Sequence, residues 1–285
     1  MSDEVGTLID ARTRDLVVAK DEINSSIRYA AKLQNALLPK MFPGDIDINV
    51  EWRPRDLVGG DIYFIKDLPD RVYIAVVDCT GHGVPGAFLS IIARSHLDKA
   101  ITPDDYQSAG AYLSKVHELL KDTLNRSNQK NTSEEGFDGG VCIYYRSERR
   151  LEFAGAKASI FQVKVDGATE TGGDRKSVGS TRMKEDFEYT TRVIDDSNGA
   201  FVMLTDGITD VMSEEERPIA FGRRRVLKLL QQTTDKSPKN IVQSIMKSVD
   251  LYRGGAPFRD DLTLLAFSLN DEISNRDSQV LEDTL

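Results

Sequence analysis

The chain has 285 residues, 40% of them hydrophobic and 29% charged, and a formal net charge of -9. This is ordinary globular composition, with room for one large domain or two small ones around a sizeable core. The acidic balance argues against non-specific binding to nucleic acid or anionic membrane, and it suits a carboxylate-rich site that needs cations. The two cysteines, Cys79 and Cys142, give neither a disulfide framework nor a Cys/His zinc pattern, and they favour a reducing compartment. There is no secretion address and no apolar run on the order of 18 residues, the length that spans a membrane. The expectation is a cytoplasmic chain, or the cytoplasmic side of a membrane receptor if the sequence is a fragment.

Residues 1–38 contain no proline and one glycine, Gly6, and they predict one long helix. Leu16, Ala19, Ile23, Ala30, Leu33 and Leu37 fall on a seam with alternating spacings of three and four, with Ser26 as the polar exception. A surface helix packed on its own domain would account for the seam. So would a coiled-coil linker that pairs two copies of the chain and passes a signal into it. The second reading is preferred because the helix precedes the globular part, and Pro39 and Pro43 end it. The chain is accordingly divided into a helical linker at 1–40, a compact domain at 41–270 and a flexible tail at 271–285.

Within the compact domain, residues 46–52 alternate like a half-buried strand, and residues 57–65 turn into a second strand with Asp61 at the junction. The run Val72–Val77 is β-branched and apolar, as in a fully buried strand, and it ends on Asp78. Gly81, His82, Gly83 and Pro85 follow, then a helix to about Ala100. A second helix is expected over residues 104–126, then a polar loop over 127–136. Closely spaced strands are expected at 140–145, 150–154 and 159–165, an antiparallel meander more than βαβ units. Residues 166–186 are polar and glycine-rich and read as an exposed flap. Strands at 187–194 and 200–205, helices at 221–232 and 239–252, and a last strand at 262–269 complete the chain.

Four carboxylates share one local setting. Asp61 follows Gly59-Gly60, Asp78 ends a strand, Asp206 precedes Gly207, and Asp260, beside Asp261, opens a strand. Each alone is an ordinary turn or cap residue. Together they describe hard oxygen ligands on rigid strand ends, which suit Mg²⁺ or Mn²⁺ better than zinc or copper. Carboxylates packed together repel and hold protons more tightly, so divalent cations are their natural partners. Other chemistries lack their motifs. Pro85 and Glu148 stand where a cysteine-based phosphatase loop needs arginine, and neither a G-x-S-x-G elbow nor a G-x-x-x-x-G-K-[ST] loop occurs.

The order GGD (59–61), D-x-x-G-H-G (78–83), T-D-G (205–207) and D-D-x-T (260–263) resembles the metal-dependent PPM (PP2C-like) serine/threonine protein phosphatases. The closer likeness is to the bacterial sporulation stage-II protein E type, found in partner-switching pathways. The likeness covers roughly residues 30–269. Leu37-Leu38-Pro39, Gly173-Asp174-Arg175 and Phe221-Gly222 with Arg225 agree with it. The resemblance implies an α+β fold, an antiparallel β-sandwich flanked by helices, with the N-terminal coiled-coil helix outside it. It also implies two divalent cations, Mn or Mg, about 3.5–4 Å apart, that activate a water for in-line attack on a phosphoserine or phosphothreonine. Asp78 would bridge the ions and the Cys79 carbonyl would add a ligand. Asp61 would serve the first ion, and Asp206 and Asp260 the second.

The implied substrate is a small regulatory protein of the anti-sigma-factor antagonist type, with an upstream sensor or a counteracting kinase as further partners and a homodimer through the helix. The alternative is a pseudo-phosphatase, a regulated interaction module without turnover; a nuclease is disfavoured by the acidic balance. Three features depart from the family, one of them Phe137-Asp138-Gly139-Gly140, which stands where relatives often show Thr. Phe64 stands where many relatives carry a second carboxylate, and His82 lies four residues after Asp78, so an acid role does not transfer to it. For phosphate capture, Arg53 and Arg55 ahead of GGD, and Lys157, are candidates beside the simpler reading of solvated surface charge.

Overall fold

The computed structural model describes residues 2–102, 106–127, 135–180, 187–194 and 198–269, so the expected tail at 271–285 and parts of the expected loop and flap lie outside it. The long helix α1 runs over Ser2–Leu37. Strands β1 (Ile46–Arg53), β2 (Asp61–Asp67) and β3 (Arg71–Cys79) follow, then helices α2 (Gly83–Lys99) and α3 (Ala109–Ser127). A meander of β4 (Phe137–Tyr145), β5 (Arg150–Ala156), β6 (Ser159–Lys164) and β7 (Gly167–Gly172) leads to β8 (Arg192–Ile194) and β9 (Ala200–Leu204). The short α4 (Asp206–Thr209), then α5 (Gly222–Gln232), α6 (Pro238–Arg253) and β10 (Leu262–Leu269) complete it.

The strands form two five-stranded sheets, in the orders β1-β10-β9-β6-β7 and β2-β3-β4-β5-β8. Every pairing is antiparallel. The sheets stack face to face, and the pattern of β10 shows why. Leu265 and Phe267 join Phe201 and Met203 in the core between the sheets, while Leu264 and Ala266 face α5 and α6 in a second core with Ile241 and Ile245. A strand covered on both faces must be apolar throughout, as β3 and β10 are. Helices α2 and α3 cover the other sheet through Leu97, Tyr112, Leu113 and Val116. The result is a four-layer α-β-β-α sandwich, the fold class expected from the sequence.

Three local expectations are corrected. The segment read as flap contains β7, an edge strand on β6 whose polar, half-exposed residues give no apolar signal. The strand expected over 187–194 is only three residues long, because Phe187 and Tyr189 pack edge-to-face with each other before pairing begins. Strand β4 starts at Phe137, three residues earlier than expected. Its glycines are required there. A Cβ on Gly139 would stand 2.5 Å from the Val76 carbonyl, and one on Gly140 would stand 2.8 Å from the Phe153 ring.

Helix α1 does not bury its seam on its own domain. Leu16, Ile23 and Leu33 are 70%, 60% and 50% exposed, whereas Gln34 and Leu38 are buried. The last turn is fixed through Gln34. Its amide nitrogen donates to the Gly59 carbonyl at 2.6 Å and to the Ser90 hydroxyl at 2.9 Å, and its oxygen accepts from the Gly59 amide at 3.2 Å. Among the described residues no helix is long and apolar enough to cross a membrane.

Candidate active site

The four carboxylates selected by sequence stand at one end of both sheets. In the β2–β3 ladder Asp61 is the register partner of Asp78, and in the β3–β4 ladder Asp78 is the partner of Asp138. Asp206 begins α4 directly after β9, and Asp260 lies just ahead of β10, the neighbour of β9. Asp78, Asp138, Asp206 and Asp260, with Cys79 and His82, line a cavity of about 300 Å³. A second cavity of about 220 Å³ shares Asp78, Asp138 and Asp206 and is closed on its far side by Lys157 and Arg223.

Asp61 sits deepest, at 1% exposure. One of its oxygens accepts from the Thr205 hydroxyl at 2.7 Å and from the Thr263 hydroxyl at 2.8 Å. The two threonines come from neighbouring strand ends, held in register by Thr205 N–H donating to the Thr263 carbonyl at 3.0 Å. Burial nevertheless raises the pKa of Asp61 above the usual carboxylate range, against the lowering effect of the hydroxyls. The buried Asp261 accepts from the Arg55 amide at 2.7 Å and the Gly60 amide at 2.6 Å, so it pins the turn that delivers Asp61. Gly60 is tightly enclosed: a Cβ there would stand 2.6 Å from the Gly81 carbonyl and 2.8 Å from that of Cys79.

Asp78 and Asp206 form a coupled pair. Burial and then the charge of Asp61 push Asp78 up, and a hydrogen bond joins it to Asp206. Asp206 is also raised, chiefly by burial. Two negative charges this close repel, so both carboxylates hold protons more tightly than usual. Cys79 is no nucleophile, since burial and the neighbouring aspartates hold its thiol far above its ordinary value.

The phosphate-binding candidates have different surroundings. Arg53 ion-pairs with Glu51 and, at 3.7 Å, with Asp250, and it lines neither acidic cavity. Arg55 contacts Asp56 and the His82 ring at the mouth. Lys157 Nζ lies 3.5 Å from the Asp138 carboxylate inside the smaller cavity. His82 is the residue before α2, with its ring more than half exposed. Thr205 and Thr263 lie within the T-D-G and D-D-x-T motifs, which gave them no role, and sequence reasoning did not select Asp138 or Arg223. Asp138 lies in Phe137-Asp138-Gly139-Gly140, a segment that departs from relatives carrying Thr there and that gave it no role.

Among the described residues no three His, Cys, Asp or Glu side chains already converge closely enough to chelate one ion. Asp78, Asp138, Asp206 and Asp260 ring the cavity instead. The donor set is all hard oxygen, which fits Mg²⁺ or Mn²⁺, and a bound cation would favour the charged form of carboxylates that burial and mutual repulsion otherwise push towards protonation.

Comparison with known proteins agrees with this geometry. The Stage II sporulation protein E (SpoIIE) family model matches residues 69–270. The phosphoserine phosphatase RsbU of Bacillus subtilis (strain 168) is 25% identical over 259 residues, 86% of this chain and 70% of RsbU. The SiaA-PP2C domain of Pseudomonas aeruginosa is 30% identical with a TM-score of 0.75, covering 89% of this chain and 98% of that domain. The PP2C phosphatase domain of SpoIIE from Bacillus subtilis, at 16% identity and a TM-score of 0.65, shares the fold over 79% of this chain and 63% of that one. The chain belongs to the SpoIIE family of PP2C-type protein phosphatase domains.

Proposed function

We propose that this chain hydrolyses phosphoserine or phosphothreonine on a small regulatory protein of the anti-sigma-factor antagonist type. Two divalent cations, Mn²⁺ or Mg²⁺, would be held by Asp61, Asp78, the Cys79 carbonyl, Asp206 and Asp260. When bound, they supply a nucleophilic water at neutral pH and offset charge on the phosphoryl oxygens. The observation that carries the proposal is the gathering of Asp78, Asp206 and Asp260, from three separate strand ends, around one cavity, with Asp61 buried behind it as the register partner of Asp78.

The protein's own groups hold and orient. Thr205 and Thr263 keep Asp61 in place, and Asp261 fixes the Gly59–Gly60 turn. Asp78, placed between Asp61 and Asp206, is the group both ions would share. Lys157 lines the smaller acidic cavity and Arg55 touches His82, which lines the larger one, so each could orient the incoming anion. Asp138 tethers Lys157 until substrate arrives.

The exposed seam of α1 supports a homodimer through that helix, with residues 1–40 as linker and 41–270 as catalytic domain. An upstream sensor acting through α1 and a counteracting kinase are the further partners proposed, in the cytoplasm. The test is manganese-dependent release of phosphate from a phosphoserine peptide, with p-nitrophenyl phosphate and a phosphodiester alongside. Monoester turnover that Asp78→Ala abolishes supports the proposal. Tight binding of phosphoprotein without turnover would leave an interaction module, and turnover of the diester alone would mean a different hydrolase.

A further inference from the structure

A third cavity, of about 580 Å³, adjoins the acidic site through a wall formed by Lys157, Ala158 and Arg223. Its far side is the loop at Gly173–Arg175. This loop is stitched to the β5–β6 turn by backbone bonds. Lys157 N–H donates to the Asp174 carbonyl at 2.6 Å, and Gly173 N–H to the Ala158 carbonyl at 2.8 Å. The floor is therefore fixed in place. The cleft leads straight out of the pocket where a phosphoryl group would sit.

Its cations stand where local physics does not favour them. Lys157 has φ 51°, a left-handed conformation better suited to glycine or asparagine. Arg223 opens α5, where the helix dipole disfavours positive charge and no acidic residue occupies the first turn. Arg175 is exposed on the third wall. These cations gather on a chain whose net charge is -9. The two acids of the cleft are already engaged. Asp174 accepts from the amide and hydroxyl of Thr190 at 2.8 and 3.1 Å, and Glu170 lies 3.2 Å from Arg223. The Arg223 side chain is 53% exposed, so its pairing with Glu170 can be exchanged for another anion.

We propose that this cleft is a specificity subsite that takes an acidic side chain of the protein substrate, close in sequence to the phosphorylated residue. Arg223 and Arg175 are its recognition groups, and Lys157 stands between subsite and phosphate. This rests on the phosphatase reading above and narrows it: the preferred substrate carries Asp or Glu beside its phosphoserine.

The test is binding, so that it does not depend on turnover. Fluorescently labelled phosphoserine peptides carrying either Asp or Lys at each of the three positions on both sides are titrated by anisotropy into full-length Asp206→Asn protein with Mn²⁺. The same titration is run on Asp206→Asn combined with Arg223→Glu or Arg223→Lys. The proposal predicts tighter binding of the Asp peptide by about tenfold at one or more positions, the size of one opposite-charge contact against one like-charge contact. Arg223→Glu should reverse that preference, and Arg223→Lys should keep it. Equal binding of Asp and Lys peptides at every position, or a preference that Arg223→Glu leaves unchanged, would overturn it. Failure of the phosphatase reading shows elsewhere, as absence of monoester turnover by the unmodified protein, whatever the peptide preference.

Discussion

The hydroxyl clamp on Asp61 offers the sharpest test of how the site is built. Thr205 and Thr263 donate to the same carboxylate oxygen, at 2.7 and 2.8 Å, inside a core that water does not reach. A hydrogen bond to a charged group contributes about 1.5–3 kcal/mol. Thr263→Val keeps the side-chain shape and removes one donor, so metal-free protein at pH 8 should lose about 2 kcal/mol. Thr205→Val removes a donor too, and it also strips the acceptor from Thr263 N–H, which the Thr205 hydroxyl satisfies at 3.0 Å. Its loss should exceed that of Thr263→Val by about 1 kcal/mol. Both hydroxyls lower the pKa of Asp61 against the raising effect of burial. Either variant therefore lets protons compete better with Mn²⁺, and its manganese affinity should fall more steeply between pH 8 and 6.5. Urea denaturation and manganese titration at the two pH values measure both effects. If the two variants are equally stable, or their manganese binding keeps the wild-type pH dependence, the clamp does not work as described.

Three further outcomes are expected. Gly60→Ala would press a methyl group against the Gly81 and Cys79 carbonyls, so manganese affinity should drop by about tenfold or more while circular dichroism stays unchanged. The raised pKa values of Asp61, Asp78 and Asp206 mean that the folded chain holds protons the unfolded chain releases. Their stabilisation is complete below the ordinary carboxylate range near about pH 4 and is lost as pH rises towards the folded values. Metal-free protein should therefore melt at falling temperature from about pH 5 to 8, and Asp78→Asn should flatten that slope. Replacing Ile23 and Leu37 with Glu should give a monomer by analytical ultracentrifugation; a variant that still sediments as a dimer removes α1 as the pairing element.

Much of the fold was legible because the buried strands are continuous apolar runs. Strand β10 matches its expected bounds, and β3 carries, one residue before its end at Cys79, the carboxylate that the sequence singled out. The polar edge strand β7 was not legible, because an edge strand with a half-exposed face needs no hydrophobic pattern. Asp138 was hidden for a related reason. Asp-Gly-Gly is poor strand sequence, and only the nearness of Val76 and Phe153 explains why glycines extend β4 there. The four aspartates could be chosen as a group because each sits beside a glycine or a strand end. Their supports could not. Thr205 and Thr263 meet Asp61 across 144 and 202 residues of sequence, and Gln34 reaches Gly59 from a helix whose pattern advertised only its apolar seam. Arg53 looked equivalent to Arg55 until the structure turned it towards Asp250 on α6.

The central claim is that Asp78 stands between two cation positions. It is tested most directly by counting Mn²⁺ bound per chain, by equilibrium dialysis, in the unmodified protein, in Asp78→Asn and in Asp260→Asn. The account predicts two ions for the unmodified protein, loss of both with Asp78→Asn, and loss of one with Asp260→Asn. A single ion in the unmodified protein, or two ions retained by Asp78→Asn, would contradict it.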